Sequence, residues 1–499
     1  MSLGVEHSTE LYVSIAEKYA PRADQDAFDV HNPSTGQLLA RFPNLGSDDV
    51  DHAVKTAKSA LPAWRATPPR ERARLLKLAA ARLREHADDI ATIESLEVGK
   101  TYGTSRTYDM WVCAESFEFF GSIVEGQQGK YVPGGPIDSY SVREPYGLVA
   151  GIIPFNWPPV HTGAKLAPAL AAGNVVVLKA PEQCPLSVLH IVHLIEDLFP
   201  AGVVQALTGL GAVTGAALTS HPGVDRISFT GSPGAARQVL HAAADNFTGA
   251  LLELGGKNPL IMLADADLDL AIPTAIEAAY MNNSEACTSA SRMLVHESIL
   301  EEFTERFIEA TSKLGVGHAL DARTSVGPMI TAAHKARVDA YLEIGRHDGA
   351  TVAFQGSTPT DPDLAEGFYV APVVFTGVTK DMRVAQEEIF GPFVSIMSFS
   401  TFEEAIDIAN STEFALVAGI ITRDMVSARR ASEEIDAGVV FINNYNRAFL
   451  AATPFGGNRA SGYGREHVAE TLEEFSRIKS VRIPSGLVPV PLWVGGETD

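Results

Sequence analysis

“GLVAGIIP” (residues 147–154) is a short, unbroken apolar run closed by glycine at one end and proline at the other, and it is the first of a series. “NVVVLKA” (174–180), “VVQAL” (203–207) and “RISFTG” (226–231) follow, with helix-like stretches such as “SVLHIVHLIEDLF” (187–199) between the first three. A strand covered by helices on both faces has no solvent side, so polar alternation disappears and buried parallel strands read this way. The alternation predicts an α/β fold with a doubly wound sheet and a ligand crevice at the strands' carboxyl ends.

A second α/β alternation follows Glu253: “NPLIML”, a helix through “DLAIPTAIEAAYM”, “RMLVHES”, and a helix over “ILEEFTERFIEATSKL”. Later strand-like pieces are “APVVFTGV” (371–378), “VSIMSF” (394–399), “ALVAGIIT” (415–422) and “GVVFIN” (438–443). Upstream, “SDDVDHAVKTAKSAL” (47–61) predicts a helix capped by Ser47 with acids in its first turn. “RERARLLKLAAARLREHADDI” (70–90) predicts a second, amphipathic helix. “KYVPGGPIDSYSVREPYG” (130–147) mixes proline and glycine with short alternating runs and predicts an extended excursion. The tail from Ser476 reads as a strand followed by an irregular arm, and there is no internal repeat of 20–50 residues.

At 499 residues the chain exceeds one compact core and suggests roughly three structural units. Its 46% hydrophobic and 20% charged residues are those of an ordinary globular protein. A formal net charge of −22 argues against nucleic acid or an anionic membrane as partner. Cys113, Cys184 and Cys287 cannot make a disulfide framework, and no Cys/His spacing suggests a metal. The N-terminal stretch lacks the pattern of a signal peptide and no apolar run reaches about 18 residues, so the expectation is a cytoplasmic enzyme.

Single motifs are weak. “GLGAVTG” (209–215) does not have the spacing of an ordinary phosphate loop and reads as a turn. “FTGSPGAAR” (229–237) puts Gly231 and Ser232 between a strand and a helix, where main-chain N–H groups meet a pyrophosphate. Taken in order, “PFNWP” (154–158), “LKAPEQ” (178–183), “FTGS” (229–232), “LELGGKNP” (252–259), Cys287 in “NNSEACT”, “QEEIFGPF” (386–393) and “PFGGNRASGYGRE” (454–466) resemble the aldehyde dehydrogenase superfamily, from about residue 30 to 482.

That resemblance implies an aldehyde dehydrogenase-like α/β fold. Residues 1–123 and 145–256 would form a Rossmann-like dinucleotide-binding domain and 257–477 a catalytic domain. Residues 124–144 and 478–499 would form a strand arm for pairing with a second copy, as a dimer or tetramer. It further implies oxidation of an aldehyde to the acid with NAD and water, without a metal. Cys287 matches the nucleophile. A free aldehyde has no good hydride to give, whereas thiolate addition makes a hemithioacetal that does, and the resulting thioester is hydrolysable. Asn156 matches the oxyanion donor, and Glu253 the base that activates water. Flanked by Leu251, Leu252 and Leu254, the Glu253 carboxyl is expected to have a raised pKa. A salt-bridged structural role is the rival reading for Glu253. Glu466 matches a second carboxylate, a proton relay or else a surface ion pair with Arg465.

For the cofactor, the resemblance puts Lys179 and Glu182 at the adenosine ribose, where a carboxylate favours NAD over NADP. Gly211, Gly231 and Ser232 would approach the pyrophosphate and Glu388 would hold the nicotinamide ribose. Phe390, Ile153, Pro154, Phe155, Phe229 and Leu254 match other cofactor-lining positions. Trp157, Pro159, His161, Ala164, Ala286, Thr288, Phe449 and Phe455 match a substrate tunnel, which the small Ala164 should widen. A wide, uncharged, aromatic-walled pocket suits an aromatic or longer apolar aldehyde. His161 could hydrogen-bond a phenolic hydroxyl; a plain tunnel-wall histidine is the simpler reading.

The sequence departs from the family at Ser284 and Glu285, where Gly-Gln is usual. A carboxylate so close to Cys287 is expected to raise the thiol's pKa. Pro233 and Gly234 replace the common Thr-Glu after “FTGS”, and Ala236 a glycine, which puts the pyrophosphate contacts in question. Two rivals stand: an acylating enzyme that passes the thioester to coenzyme A, and a redox-inactive binding or structural relative. Glu253 opposes the first; Cys287, Asn156 and Glu253 together oppose the second.

Overall fold

In the computed structural model, which describes residues 5–445 and 451–489, two mainly parallel sheets organise the chain. The first has six strands in the order Gly462–Tyr463, Gly249–Glu253, Arg226–Thr230, Leu148–Ile152, Val175–Lys179, Val204–Leu207. All pairs are parallel except the two-residue edge strand on Gly249–Glu253. Numbered along the chain this is the order 6-5-4-1-2-3, so the connection reverses direction between Leu148–Ile152 and Arg226–Thr230. A crevice opens at the carboxyl ends of two strands whose connections leave in opposite directions.

The physical reason for the sheet is burial. Leu148–Ala150 and Val175–Leu178 have no exposed surface, with the helices Pro158–Ala171 and Leu186–Ile195 packed into the same core. Asn174 locks this sheet to the C-terminal part of the chain. Its Oδ1 accepts from Gly147 N (3.0 Å), and its Nδ2 donates to Ala169 O (3.0 Å) and Phe475 O (2.8 Å).

The second sheet has seven strands in the order Thr351–Gln355, Val373–Thr376, Phe393–Phe399, Arg292–His296, Pro259–Met262, Val417–Ile421, Val439–Ile442. Only its first pair is antiparallel. The extended excursion becomes a third, antiparallel sheet in which Ser476–Pro484 pairs along Ile137–Pro145, with Tyr131–Val132 beyond. Tyr131, Val132, Ile478 and Ile483 are exposed on it.

Three local expectations change. The stretch 70–90 is two helices, Pro69–Glu85 and Ala87–Val98, broken at His86 (φ −102°, ψ 16°). The break redirects the chain so that Ile90–Val98 is buried all round, which the amphipathic pattern of its first half could not announce. The helix Ser47–Ala66 starts one residue early: Gly46 is its cap, and the Asp49 carboxylate accepts from Gly46 N (2.9 Å). “GLGAVTG” is more than a turn, since Gly211–Gly215 is one wide helical turn running into Ala216–Thr219. The ends of the expected dinucleotide-binding domain and arm, residues 1–4 and 490–499, lie outside the described residues. Among the described residues no helix is long and apolar enough to cross a membrane.

Replacing Asn174 takes the side-chain partner from the buried Gly147 N–H and Phe475 carbonyl, while Ala169 O keeps its bond from the Asn174 main-chain N–H. Asn174→Ala is expected to cost about 3 kcal/mol, read as a lower urea midpoint; an unchanged midpoint would refute the locking role.

Candidate active site

The loop that carries Cys287 begins with a backbone that side chains rarely permit. Asn282, Asn283 and Ser284 have φ of 55°, 57° and 61° in succession. Asparagine tolerates this region better than most residues because its short amide bonds locally. Here the amides reach further. Asn282 Nδ2 donates to Asn156 O (3.0 Å) and Glu285 O (3.1 Å). Asn283 Nδ2 donates to Gly99 O and Pro328 O (3.2 Å each), and its Oδ1 accepts from Gly327 N (2.7 Å). On the far side of the cysteine, Asn258 Nδ2 donates to Cys287 O (2.7 Å) and Ser289 O (3.0 Å), while its Oδ1 accepts from Val417 N (3.2 Å).

The glycines of “LELGG” make room for this. A Cβ on Gly256 would stand 2.6 Å from Cys287 O, and one on Gly255 2.2 Å from Glu388 Oε2. Cys287 is the only one of the three cysteines with solvent access; all three are free thiols.

Cys287 opens on a cavity of about 940 Å³ at the carboxyl ends of the six-stranded sheet. Asn156, Glu253 and Cys287 share its wall with Ile153, Pro154 and Phe155. Lys179, Glu182, Gly211, Phe229, Gly231 and Ser232 line it too, as do Leu254, Glu388 and Phe390. His161 is on the wall as well. Of the other expected residues, Trp157 is buried beside it against Tyr108 (ring centroids 5.3 Å apart), under the Lys100 ammonium. Ala164 is buried in the core (1% exposed) and, like Thr288 and Phe455, is not on this wall. Phe449 lies outside the described residues.

Electrostatics set the resting state. Burial, then the charges of Glu388, Glu253 and Glu466, push the Cys287 thiol up. The raised thiol was expected from Glu285, but that carboxyl is turned away. Its Oε1 accepts from Ile330 N (3.1 Å) and lies 3.3 Å from His334 Nε2, while its main-chain carbonyl accepts from Asn156 Nδ2 (2.9 Å). An amide has two N–H groups, so Asn156 keeps one for another acceptor.

Glu253 is 3% exposed, and neither carboxyl oxygen has a hydrogen-bond partner among the described residues. Burial, then Glu466, raises its pKa well above the usual range, against the pull of Lys165 and Arg465. The salt-bridged alternative therefore fails. Glu466 is no surface pair with Arg465 either: it is buried, 3.4 Å from Lys165 Nζ, which also donates to Thr230 (2.8 Å) and Ser228 (3.1 Å). Burial lifts Glu388 to about 7 despite a bond from Gly256 N (3.0 Å).

The cofactor positions are orderly. Ser232 caps the helix Pro233–Asp245 and accepts from Ala235 N (3.3 Å), so Pro233 falls on the first helical position, where no N–H is needed. Lys179 and Glu182 are ion-paired to each other.

Sequence reasoning missed Lys165, His334 and Arg337. Lys165 carried a usable signal, a lone charge in the apolar helix Pro158–Ala171. His334 and Arg337 carried none. They come from the helix Ala332–Asp348, where His334 Nε2 donates to Phe390 O (2.8 Å) and Arg337 to Ile389 O (2.6 Å), pinning the left-handed Phe390 (φ 60°). Burial, then Arg337, lowers His334 to about 4, so its ring is neutral.

The family model described as “Aldehyde dehydrogenase family” matches residues 19–481. Aldehyde dehydrogenase citD of Monascus ruber is 44% identical over 472 residues, covering 95% of this chain and 94% of citD. The crystal structure of PnpE in complex with nicotinamide adenine dinucleotide superposes with a TM-score of 0.91 at 39% identity, over 93% of this chain and 96% of PnpE, a protein of Pseudomonas sp. WBC-3. Betaine aldehyde dehydrogenase of Staphylococcus aureus in complex with NAD+ superposes with a TM-score of 0.93 at 30% identity, over 98% and 100% of the two chains.

The thiolate is the form that alkylates. With the Cys287 pKa raised, its iodoacetamide labelling should climb about tenfold per pH unit between pH 7 and 9, with Cys113 and Cys184 unlabelled until the protein unfolds. Because the Glu285 carboxyl faces His334, Glu285→Gln should leave that profile within about 0.3 pH unit of the parent. A clear acid shift would show that Glu285 acts on the sulfur after all.

Proposed function

This chain belongs to the aldehyde dehydrogenase family, and on that premise we propose that it oxidises an aldehyde to the carboxylic acid with NAD through a covalent thioester on Cys287. The observation that carries the reading is the pairing on one cavity wall of the only accessible thiol with a buried carboxyl, Glu253, that has no hydrogen-bond partner among the described residues.

In this reading the Cys287 thiolate adds to the carbonyl carbon and the carbonyl oxygen takes the negative charge. The free N–H of Asn156 and the main-chain N–H of Cys287 stabilise that oxygen; one such donor is worth about 10²–10³ in rate. NAD, when bound, supplies the acceptor for the aldehyde hydrogen and its electron pair, which leaves a thioester. Glu253 then takes a proton from the water that attacks the thioester carbon, the C–S bond breaks, and the acid departs. The raised pKa of Glu253 makes it a better proton acceptor once ionised. Lys165 and Glu466 give that proton a polar neighbour in a buried setting. A partnerless base suits hydrolysis and leaves transfer to coenzyme A as the weaker alternative.

The dinucleotide would lie at the reversal point of the six-stranded sheet. Lys179 and Glu182 would hold the adenosine ribose, Gly211 and the helix start at Gly231–Ser232 would meet the pyrophosphate, and Glu388 with Phe390 would take the nicotinamide riboside. The absence of a Cβ at Gly255 beside Glu388 fits a crowded carboxylate that must still reach a ligand. By the same reading, residues 1–123 and 145–256 serve the cofactor and 257–477 the catalysis. The exposed apolar residues of the three-stranded sheet support pairing with a second copy, and an enzyme that needs a free thiol suits the reducing cytoplasm. The substrate is an uncharged aromatic or longer apolar aldehyde.

Acid and NADH should form in equal amounts without coenzyme A, and Cys287→Ala should lose more than about 10³-fold in rate. Glu253→Gln should keep a stoichiometric NADH burst while turnover drops about 10²-fold; loss of the burst as well would remove Glu253 from the hydrolytic step. The Glu182 carboxylate repels a 2′-phosphate, although Lys179 beside it offsets part of its charge. Glu182→Gln should therefore raise kcat/KM for NADP by about tenfold while NAD changes little; an unaltered ratio would move the ribose elsewhere.

A further inference from the structure

His161 stands one turn beyond Asn156 on the helix Pro158–Ala171, its N–H bonded to Trp157 O, and its ring reaches the wall of the Cys287 cavity. The residue is 7% exposed, and neither Nδ1 nor Nε2 has a hydrogen-bond partner among the described residues. Buried polar atoms are nearly always bonded, and an imidazole with both nitrogens open is a mismatch that a ligand can relieve.

Its surroundings narrow the ligand. Burial first, then the charges of Lys165, His467 and Lys100, hold its pKa well below the usual histidine range, so the ring is neutral, with one N–H donor and one acceptor nitrogen. A neutral ring gives no counter-charge to a carboxylate, and a further carboxylate would be unfavourable beside Glu253, Glu388 and Glu466, which already crowd Cys287 with acidic groups. A carbonyl would suit only the tautomer that presents N–H. A hydroxyl both donates and accepts, so it suits either. The aromatic rings of Phe155, Phe229 and Phe390 share the cavity wall with His161, and Trp157 packs on Tyr108 just behind (ring centroids 5.3 Å apart).

We propose that His161 is a specificity-determining residue that hydrogen-bonds a hydroxyl on the ring of the substrate, which makes the preferred substrates hydroxylated aromatic aldehydes. This rests on the aldehyde oxidation proposed above and deepens it. His161 touches neither the reacting carbon nor the sulfur in this assignment. Its effect falls on which aldehyde is selected.

The test is steady-state kcat/KM with NAD for benzaldehyde, its 2-, 3- and 4-hydroxy derivatives and the matching methyl derivatives. The wild type should prefer at least one hydroxy isomer over both benzaldehyde and its methyl counterpart by about tenfold or more. His161→Leu should bring the hydroxy-to-methyl ratio of kcat/KM down to about one, and His161→Gln, which can still donate and accept, should restore part of the preference. Equal rates for hydroxy and methyl derivatives in the wild type, or a preference that survives His161→Leu, would overturn the assignment while leaving the aldehyde oxidation intact. If His161→Leu does not fold, the wild-type panel and His161→Gln decide. A protein that produces no NADH from any aldehyde of the panel overturns both readings.

Discussion

Three consecutive left-handed residues, Asn282 to Ser284, are the constraint on which the site depends. Each costs an L-residue about 1–2 kcal/mol relative to ordinary backbone. The offset comes from buried amide hydrogen bonds, each worth about 1 kcal/mol net and more when its loss would strand a buried carbonyl. Those bonds go to different parts of the chain. Asn282 reaches the segment after the strand Leu148–Ile152 of the six-stranded sheet, Asn283 reaches Gly99 and residues 327–328, and Asn258 ties the cysteine's own carbonyl to the seven-stranded sheet. The sulfur is thus held by the agreement of both sheets rather than by its loop alone.

That agreement has an electrostatic consequence. Glu253 and Glu466 act on Cys287 from buried positions and Glu388 from a half-buried one, and the buried Lys165 ammonium is paired with Glu466. Each ionised carboxylate disfavours another charge close by, so the Cys287 thiol and the Glu253 carboxyl are both pushed towards their neutral forms. A site of this kind keeps its thiol quiet in the absence of ligand. In the proposed mechanism, reaction then requires the charge distribution to change, which a cationic nicotinamide ring would do.

The departures from the family pattern turn out to be local substitutions that the fold absorbs. Pro233 takes the first helical position, the one place where its missing N–H costs nothing. Glu285, alarming on paper beside a nucleophile, points its carboxyl towards Ile330 and His334 and offers only its main-chain carbonyl to the site. Adjacency in sequence says little about direction in a loop whose backbone is left-handed.

The alternation of buried strands and helices that builds the two parallel sheets was legible because it is written in local periodicity and repeated many times. Motif order along the chain, which survives folding, singled out Asn156, Glu253 and Cys287 as a group, and the three share one cavity wall. Other features were decided only by tertiary contact. The break at His86 follows from the need to bury Ile90–Val98 on every side, and the turning of Glu285 from the positions of Ile330 and His334. His334 and Arg337 enter the site from a helix some 50 residues before the loop they pin. Local pattern reports which faces are apolar, but the direction of a side chain and the identity of its distant partner depend on long-range packing, which no window of neighbouring residues contains.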